Sequence, residues 1–481
     1  MALQFHNSLN RRIEAFTPLE EGRVRIYSCG PTVYDTPHIG NWRMMVGTDL
    51  LVRYLIWRGF DVTHVMNITD VDDKTIRGAQ EEGVPLNEFT ARYTDLFFAG
   101  REILGLRPAE HFPRATEHIE QMLALVSELA EKGLTYESDG SVYFAVNRFT
   151  EYGRLSGIDP SGLQAGARVD ADEYEKEEAR DFVLWKGRKP EDGDVWWESP
   201  FGPGRPGWHL ECSAMSAHYL DLPFDIHTGG IDLLFPHHEN EIAQTTGATG
   251  SDLARFWLHN AHLNVEGRKM SKSLGNYLTL EDLLEREYDP AAVRYLLLAT
   301  HYRQPLTFSF AALDSAAAAV ARLREADRLW HGRIERDANT GRAAEQAGGQ
   351  AEGAAEAEAA VAQLRTDFMA ALDDDLNISG GLAALFAFVR TGNTLIDGGA
   401  GGSAAEWLRA ALHDIDTVIG VLDGGAEEEL AGELADLIAA REEARAGRDW
   451  AEADRIRDEL LAAGIVIEDT PEGTRWKRVK S

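Results

Sequence analysis

A chain of 481 residues, 44% hydrophobic and 27% charged, is too long for one ordinary hydrophobic core and is expected to divide into two to four domains. No run approaches the apolar length of a membrane span, and the opening MALQFHNSLNRRIEAF lacks a secretory signal's apolar core; the sequence predicts a cytoplasmic protein with no membrane partner. The net charge of −32 by itself argues against a nucleic-acid partner, which wants a basic footprint, but net charge does not speak to one local site.

Of the 48 basic residues only 9 are Lys and 39 are Arg. Scarce Lys in a heavy acidic surplus is consistent with adaptation to high salt. Two cysteines, Cys29 and Cys212, are too few for a disulfide scaffold. Buried inert thiols are the commonest fate of free cysteines, so their neighbours must decide their role.

In chain order, RVRIYSCG (23–30) alternates like a strand. From Asn41 to Gly59 apolar residues recur three or four apart, and DVTHVMNIT (61–69) is again strand-like. Strand, helix, strand within about fifty residues makes a βαβ unit and predicts a parallel sheet. No G-x-G-x-x-G follows the first strand, so the common dinucleotide fingerprint is absent. Residues 86–135 look helical, and 136–206 combine short strands with a polar loop that reads as an insertion. FDIHTGG (224–230) is a strand ending in glycines, and PHHENEIAQTT (236–246) reads as a helix with Pro in its first turn. Residues 316–440 are helical, interrupted by apparent loops at 337–359 and 397–403. The end, 430–481, has two helical stretches, a strand-turn and a basic tail, TRWKRVK.

Three constellations carry chemistry. PHIGN (37–41) lies where a strand ends and a helix begins, and a helix N-terminus is an anion site. There His38 can donate to a phosphate, and Gly40 can let a flat base reach the backbone; alone, the tetrapeptide reads more often as structural. KMSKS (269–273) holds two of the nine lysines, and mobile ammonium groups beside hydroxyls can clamp a polyphosphate. Cys29, Cys212 and PHHENE offer thiolates, imidazoles and carboxylates. His237 and Glu241 are spaced i, i+4, and two thiolates, one imidazole and one carboxylate make a tetrahedral zinc site. No pair has C-x-x-C spacing, so two buried inert thiols remain an equal reading of the spacing alone.

His-Ile-Gly-Asn followed about 230 residues later by Lys-Met-Ser-Lys-Ser resembles the class I aminoacyl-tRNA synthetases, with Asn41 where the motif usually has a second His. Taken with GWHLECSAMS (207–216) and FDIHTGGIDLLFPHHENE (224–241), the whole chain closely resembles the cysteinyl-tRNA synthetase family. The resemblance implies activation of L-cysteine by ATP, with Mg2+, and its transfer to tRNA(Cys). It implies one Zn2+ on Cys29, Cys212, His237 and Glu241, taking the substrate thiolate directly. It assigns His38, Asn41, Lys269 and Lys272 to catalysis. ATP falls to Thr32, His38, Gly40, Asn41, Gly229, Gly230, Asp232 and Lys272. Cysteine falls to Cys29, Thr69, Trp208 and His227, and the anticodon to Arg445, Trp450, Asp454 and Asp469.

The implied architecture is α/β: a Rossmann-like catalytic domain in two halves (1–115 and 201–255) around a connective insertion (116–200), then a stem-contact region with the KMSKS loop (256–315), a helical bundle (316–425) and a small mixed α/β anticodon-binding domain (430–481). A monomer is expected, as is usual in the family. The nearest rival is the related ligase that joins cysteine to a glucosaminyl-inositol; it lacks the anticodon-reading terminus that 441–478 resembles.

Overall fold

The computed structural model describes residues 2–158, 168–169, 181–265, 267–269, 276–339 and 349–422, and 437–478 with short breaks. The chain forms two compact units, Met1–Leu422 and Asp423–Ser481.

The first unit is built on four parallel strands in the order Ala254–Asn260, Phe224–Gly230, Arg23–Ser28, Asp61–Met66. Val24, Ile26, Tyr27, Phe224 and Ile226 are fully buried, as parallel strands covered on both faces require. From Arg23–Ser28 the chain crosses through the Ile39–Trp57 helix to Asp61–Met66 on one side. From the adjacent Phe224–Gly230 it crosses through the Glu239–Thr249 helix to Ala254–Asn260 on the other. The two central strands therefore send their connections in opposite directions, which opens a crevice at their carboxyl ends. Cys29 follows one of these ends, and Gly229 and Gly230 form the other.

The Ile39–Trp57 helix is buried along most of its length. Its Arg43 is 1% exposed and donates to the carbonyls of Leu297, Thr300 and His301 at the end of the Pro290–Ala299 helix, where a cation meets orphan carbonyls. Asp49, one helical face further on, binds Arg53 and the buried Arg294. Arg294 in turn donates to Ile419 O at 2.7 Å. The parallel sheet is thus fastened through one helix to the following helices.

The 135–206 segment adds a second sheet of five strands, Thr135–Ser138, Ser141–Phe144, Asp181–Gly187, Arg168–Val169 and Gly204–Pro206. Four helices follow, Phe310–Asn339, Gly349–Asp373, Ile378–Asp397 and Gly402–Ile419, packed around buried Trp330, Phe368, Leu385, Leu408 and Leu412. Among the described residues no helix is long and apolar enough to cross a membrane. In the second unit the Trp450–Ala462 helix and the hairpin Ile465–Thr470/Gly473–Arg478 share a small core of Ile456, Leu460 and Ile467.

Two sequence expectations are corrected. The 337–359 segment is not a single loop: helices reach Asn339 and restart at Gly349, as its Ala and Glu content favours; 340–348 lie outside the described residues. The PHHENE helix starts at Glu239, later than expected. Leu234–His238 form a wider turn in which Phe235 is extended (φ −140°, ψ 134°), because Pro236 has no amide to donate and restricts the residue before it.

Candidate active site and metal cluster

Where the two central strands diverge, the structure brings Cys29, Cys212, His237 and Glu241 together, their ligand-type atoms all within 4.8 Å of one another and every residue buried. Cys29 Sγ lies 3.9 Å from Cys212 Sγ and 3.9 Å from Glu241 Oε1. His237 Nε2 lies 3.1 Å from Glu241 Oε1. A tetrahedral zinc with bonds of about 2.3 Å to sulfur and about 2.0 Å to nitrogen and oxygen has edges of about 3.3–3.8 Å, so these spacings fit the ion with adjustments of a few tenths of an ångström.

The protonation pattern also fits a cation site. Burial opposes ionisation of Glu241, yet His227 and His237 hold its carboxyl at about 2. Burial would lower His237, but Glu241 and Cys212 raise it to about 10. Burial pushes the Cys29 thiol well up. Burial would push Cys212 up too, but its hydrogen bond with Cys29 and the nearby His237 bring it down to about 6. The cluster is therefore anionic and depends on a buried imidazolium, whose place a metal dication can take as protons leave.

Outer contacts orient this set. His237 Nδ1 faces His209 Nδ1 at 2.9 Å, which fixes the ring with Nε2 toward the cluster. Trp208, at the start of the Trp208–Leu220 helix, packs against His237 with centroids 4.2 Å apart and planes tilted by 31°. Gly207 before it lets that helix approach the Asp181–Gly187 strand: a Cβ there would sit 2.3 Å from Val183 O. His227 Nε2 contacts Glu241 Oε2 at 2.9 Å while its ring stacks on Trp257. A second quartet, Cys29, His227, His238 and Glu241, meets the same proximity criterion. There, however, His238 Nε2 is 3.3 Å from Cys29 Sγ and its Nδ1 contacts His259.

Sequence reasoning missed Glu211. It is fully buried and accepts from Thr69 Oγ1 at 2.8 Å, while Asn67 Nδ2 donates to the same hydroxyl at 3.0 Å. With one donor and one acceptor position used, Thr69 keeps an acceptor lone pair. Asn67 also holds the Gly30 amide at 2.8 Å, and a Cβ on Gly30 would lie 1.7 Å from Asn67 O.

Beside the cluster runs an open cleft whose lining includes Thr32, His38, Gly40, Asn41, Gly230 and Asp232. Gly229 is not among the lining residues: it is buried in its strand, where a Cβ would lie 2.9 Å from His238 Cε1. His38 caps the Ile39–Trp57 helix. Its Nδ1 accepts from the Asn41 amide at 3.2 Å, and its own amide donates to Asn41 Oδ1 at 3.0 Å. This reciprocal cap fixes two chemical facts. Burial keeps the His38 imidazole below its usual value despite Asp232 and Asp35, so at neutral pH it is uncharged with its hydrogen on Nε2. Asn41, with its oxygen engaged, offers its amide nitrogen as a donor. The Ile39 amide is taken by Leu278 O at 2.9 Å.

The Arg268–Lys269 strand pairs with Leu263–Val265, Lys269 opposite Asn264, and Leu263 lines the cleft. The side chain of Lys269 and all of Lys272 lie outside the described residues. In the second unit, Trp450 is 59% exposed, and Asp454, four residues on, is exposed on the same helical face. Arg445 is half-buried in the helical stretch before it. Asp469 is paired by its backbone with Thr474, and its side chain lies outside the described residues.

Comparison with known proteins matches residues 15–318 to the class I (C) tRNA synthetase catalytic domain, 367–423 to the DALR domain, and 427–476 to the cysteinyl-tRNA ligase anticodon binding domain. Similar curated proteins include the cysteine–tRNA ligases of Chlamydia pneumoniae (46% identical over 479 residues, 99% of this chain and 98% of that protein) and Solibacter usitatus (48% over 486 residues, 99% and 100%). A solved Mycobacterium tuberculosis methionyl-tRNA synthetase bound by methionyl-adenylate superposes with a TM-score of 0.59 at 17% identity, covering 86% of this chain and 94% of that one; at that identity it speaks to the fold alone. Full-length identity at this level, joined to matched catalytic and anticodon-binding domains, places the chain in the cysteine–tRNA ligase family.

Proposed function

We propose that the protein is a cysteine–tRNA ligase that forms cysteinyl-adenylate from L-cysteine and ATP, releases pyrophosphate, and transfers the cysteinyl group to tRNA(Cys). The observation that carries this reading is the juxtaposition of a two-thiolate donor set with the His38 cap at one switch-point crevice. Cys29, Cys212, His237 and Glu241 would hold the zinc ion, which when bound supplies a soft, charge-assisted contact for the substrate sulfur.

The chain's own groups do the rest. Trp208 walls the amino-acid side of the pocket, and the Thr69 lone pair, set by Glu211 and Asn67, suits the substrate ammonium. His227 steadies the outer oxygen of Glu241. His38 Nε2–H and the Asn41 amide donate to the phosphates as the cysteine carboxylate attacks the α-phosphorus. Gly229 and Gly230 admit the nucleotide, with Asp232 accepting from ribose hydroxyls. Lys269 and Lys272 stabilise the charge that develops on the phosphates.

Reading of the anticodon falls to Arg445, Trp450, Asp454 and Asp469, by stacking and by hydrogen bonds to splayed base edges. Trp450→Ala should raise KM for tRNA roughly tenfold or more, the range of a lost aromatic–base stack, while tRNA-independent pyrophosphate exchange is unchanged. Parallel loss of both would make Trp450 a packing residue. The whole reading is tested by cysteine-dependent ATP–pyrophosphate exchange without tRNA: exchange is expected, and its absence in zinc-loaded protein contradicts the adenylate mechanism.

A further inference from the structure

Tyr277 belongs to no motif described above, yet it touches the residue on which nucleotide binding turns. Its ring stands edge-to-face against His38, centroids 5.2 Å apart and planes at 88°. Its hydroxyl donates to Thr36 O at 3.0 Å, in the turn that leads into His38. The next residue supplies the carbonyl that takes the Ile39 amide. Thr279, two residues on, pairs with His38 as an antiparallel bridge and caps its own helix, Leu280–Leu284. Residues 277–279 thus grip the start of the Ile39–Trp57 helix through the Tyr277 ring, its hydroxyl and the backbone bridge, from 241 residues away in sequence.

We propose that Tyr277 is a positioning residue for adenylate formation: by packing on the His38 ring and tying down Thr36, it aims His38 Nε2 at the phosphates. The physical need is specific. Among the described residues His38 Nδ1 is held through the 3.2 Å contact with the Asn41 amide, which fixes one edge of the imidazole but not its tilt about that edge. A ring packed perpendicular to its face removes that freedom. The hydroxyl bond does a second job. It fixes the backbone turn from which His38 projects, so both the root and the plane of the imidazole are set by one side chain. The role differs from that of a catalytic residue: Tyr277 acts through His38, and it is not among the residues lining the cleft.

This inference rests on the adenylate-forming reading, and its test separates the two. In zinc-loaded full-length protein, cysteine-dependent pyrophosphate exchange is measured for the wild type, Tyr277→Phe, Tyr277→Ala, His38→Ala and the double variant. Tyr277→Ala should lower kcat roughly 10- to 100-fold, as expected when a reacting group is displaced by about 1 Å, with KM for cysteine and zinc content unchanged. Tyr277→Phe keeps the ring and loses the hydroxyl, so its loss should be smaller, roughly fivefold.

The decisive readout is the cycle. Once His38 is Ala, removing Tyr277 should cost under about twofold more, because a residue that acts through His38 has nothing left to act on. Full additivity of the two losses overturns the proposal, as does a Tyr277→Ala variant with wild-type kcat. A loss of cysteine affinity or zinc in parallel with kcat would equally overturn it, by marking Tyr277 as a general packing residue. Failure of the wild type itself to exchange would instead refute the underlying reading.

Discussion

Replacing Cys212 by serine is expected to remove both the metal and cysteine activation. The site is buried and its donors are closely spaced, so a serine hydroxyl would occupy the same volume. A neutral hydroxyl is nevertheless a poor ligand for a borderline-soft ion at neutral pH. Zinc content should fall to about a tenth or less, and cysteine-dependent exchange by about 10³-fold or more, since loss of a direct ligand should exceed the 10–100-fold typical of losing an outer contact. The variant also decides between the two quartets, which share Cys29 and Glu241 but not Cys212. Full zinc retention in Cys212→Ser, with loss in His238→Ala, would move the ion to the His227–His238 set. Metal analysis on both variants makes the distinction.

His38→Ala carries the second large effect, and it has two separable parts. Losing the cap should destabilise the Ile39–Trp57 helix by about 1 kcal/mol. Losing the Nε2–H donor should slow adenylate formation by about 10²–10³-fold, the usual loss for one preorganised donor to a developing charge. His38→Asn separates them: Asn is a good N-cap, so thermal stability should return while activity does not. If His38→Asn restores both, the role of His38 is capping alone and the assignment to phosphate binding fails. Thermal melts and pyrophosphate exchange on the same samples provide the comparison.

The sequence was legible where local patterning decides structure. The strand before Cys29, the helix opening at His38 and the strand ending at Gly229 and Gly230 all follow from periodicity and punctuation, and with them comes the parallel sheet. That Cys29, Cys212, His237 and Glu241 meet was expected only from resemblance, because Cys29 and Cys212 are 183 residues apart and nothing in their spacing brings them together. What escaped were contacts made by ordinary residues at a distance. Glu211 reads as one more acidic position on a helix, yet it orients Thr69 from 142 residues away. Tyr277 reads as an aromatic after a loop. His209, His238 and His259 form contacts around the cluster that their positions in the sequence do not reveal.

The reciprocal bonding of His38 and Asn41 is a finding of another kind. The family resemblance assigns both to phosphates, and the structure adds that each fixes the other's hydrogen-bonding state. This gives a reason for Asn at a position where the motif usually has His: a carboxamide can accept from the cap amide and still donate outward. It also narrows the expectation of a freely available helix N-terminus. The Ile39 and Asn41 amides already have partners, so side-chain donors carry more of the nucleotide contact than the helix end does.

On the proposed reading, a buried two-thiolate metal site selects cysteine before ATP activates it. The most direct measurement is zinc content of the purified protein together with pyrophosphate exchange driven by cysteine and by serine. One zinc per chain is expected, with a preference for cysteine of about 10⁴-fold or more, the discrimination reached when one specific polar contact is required. Protein that carries no zinc yet activates cysteine, or that activates serine as well as cysteine, would contradict it.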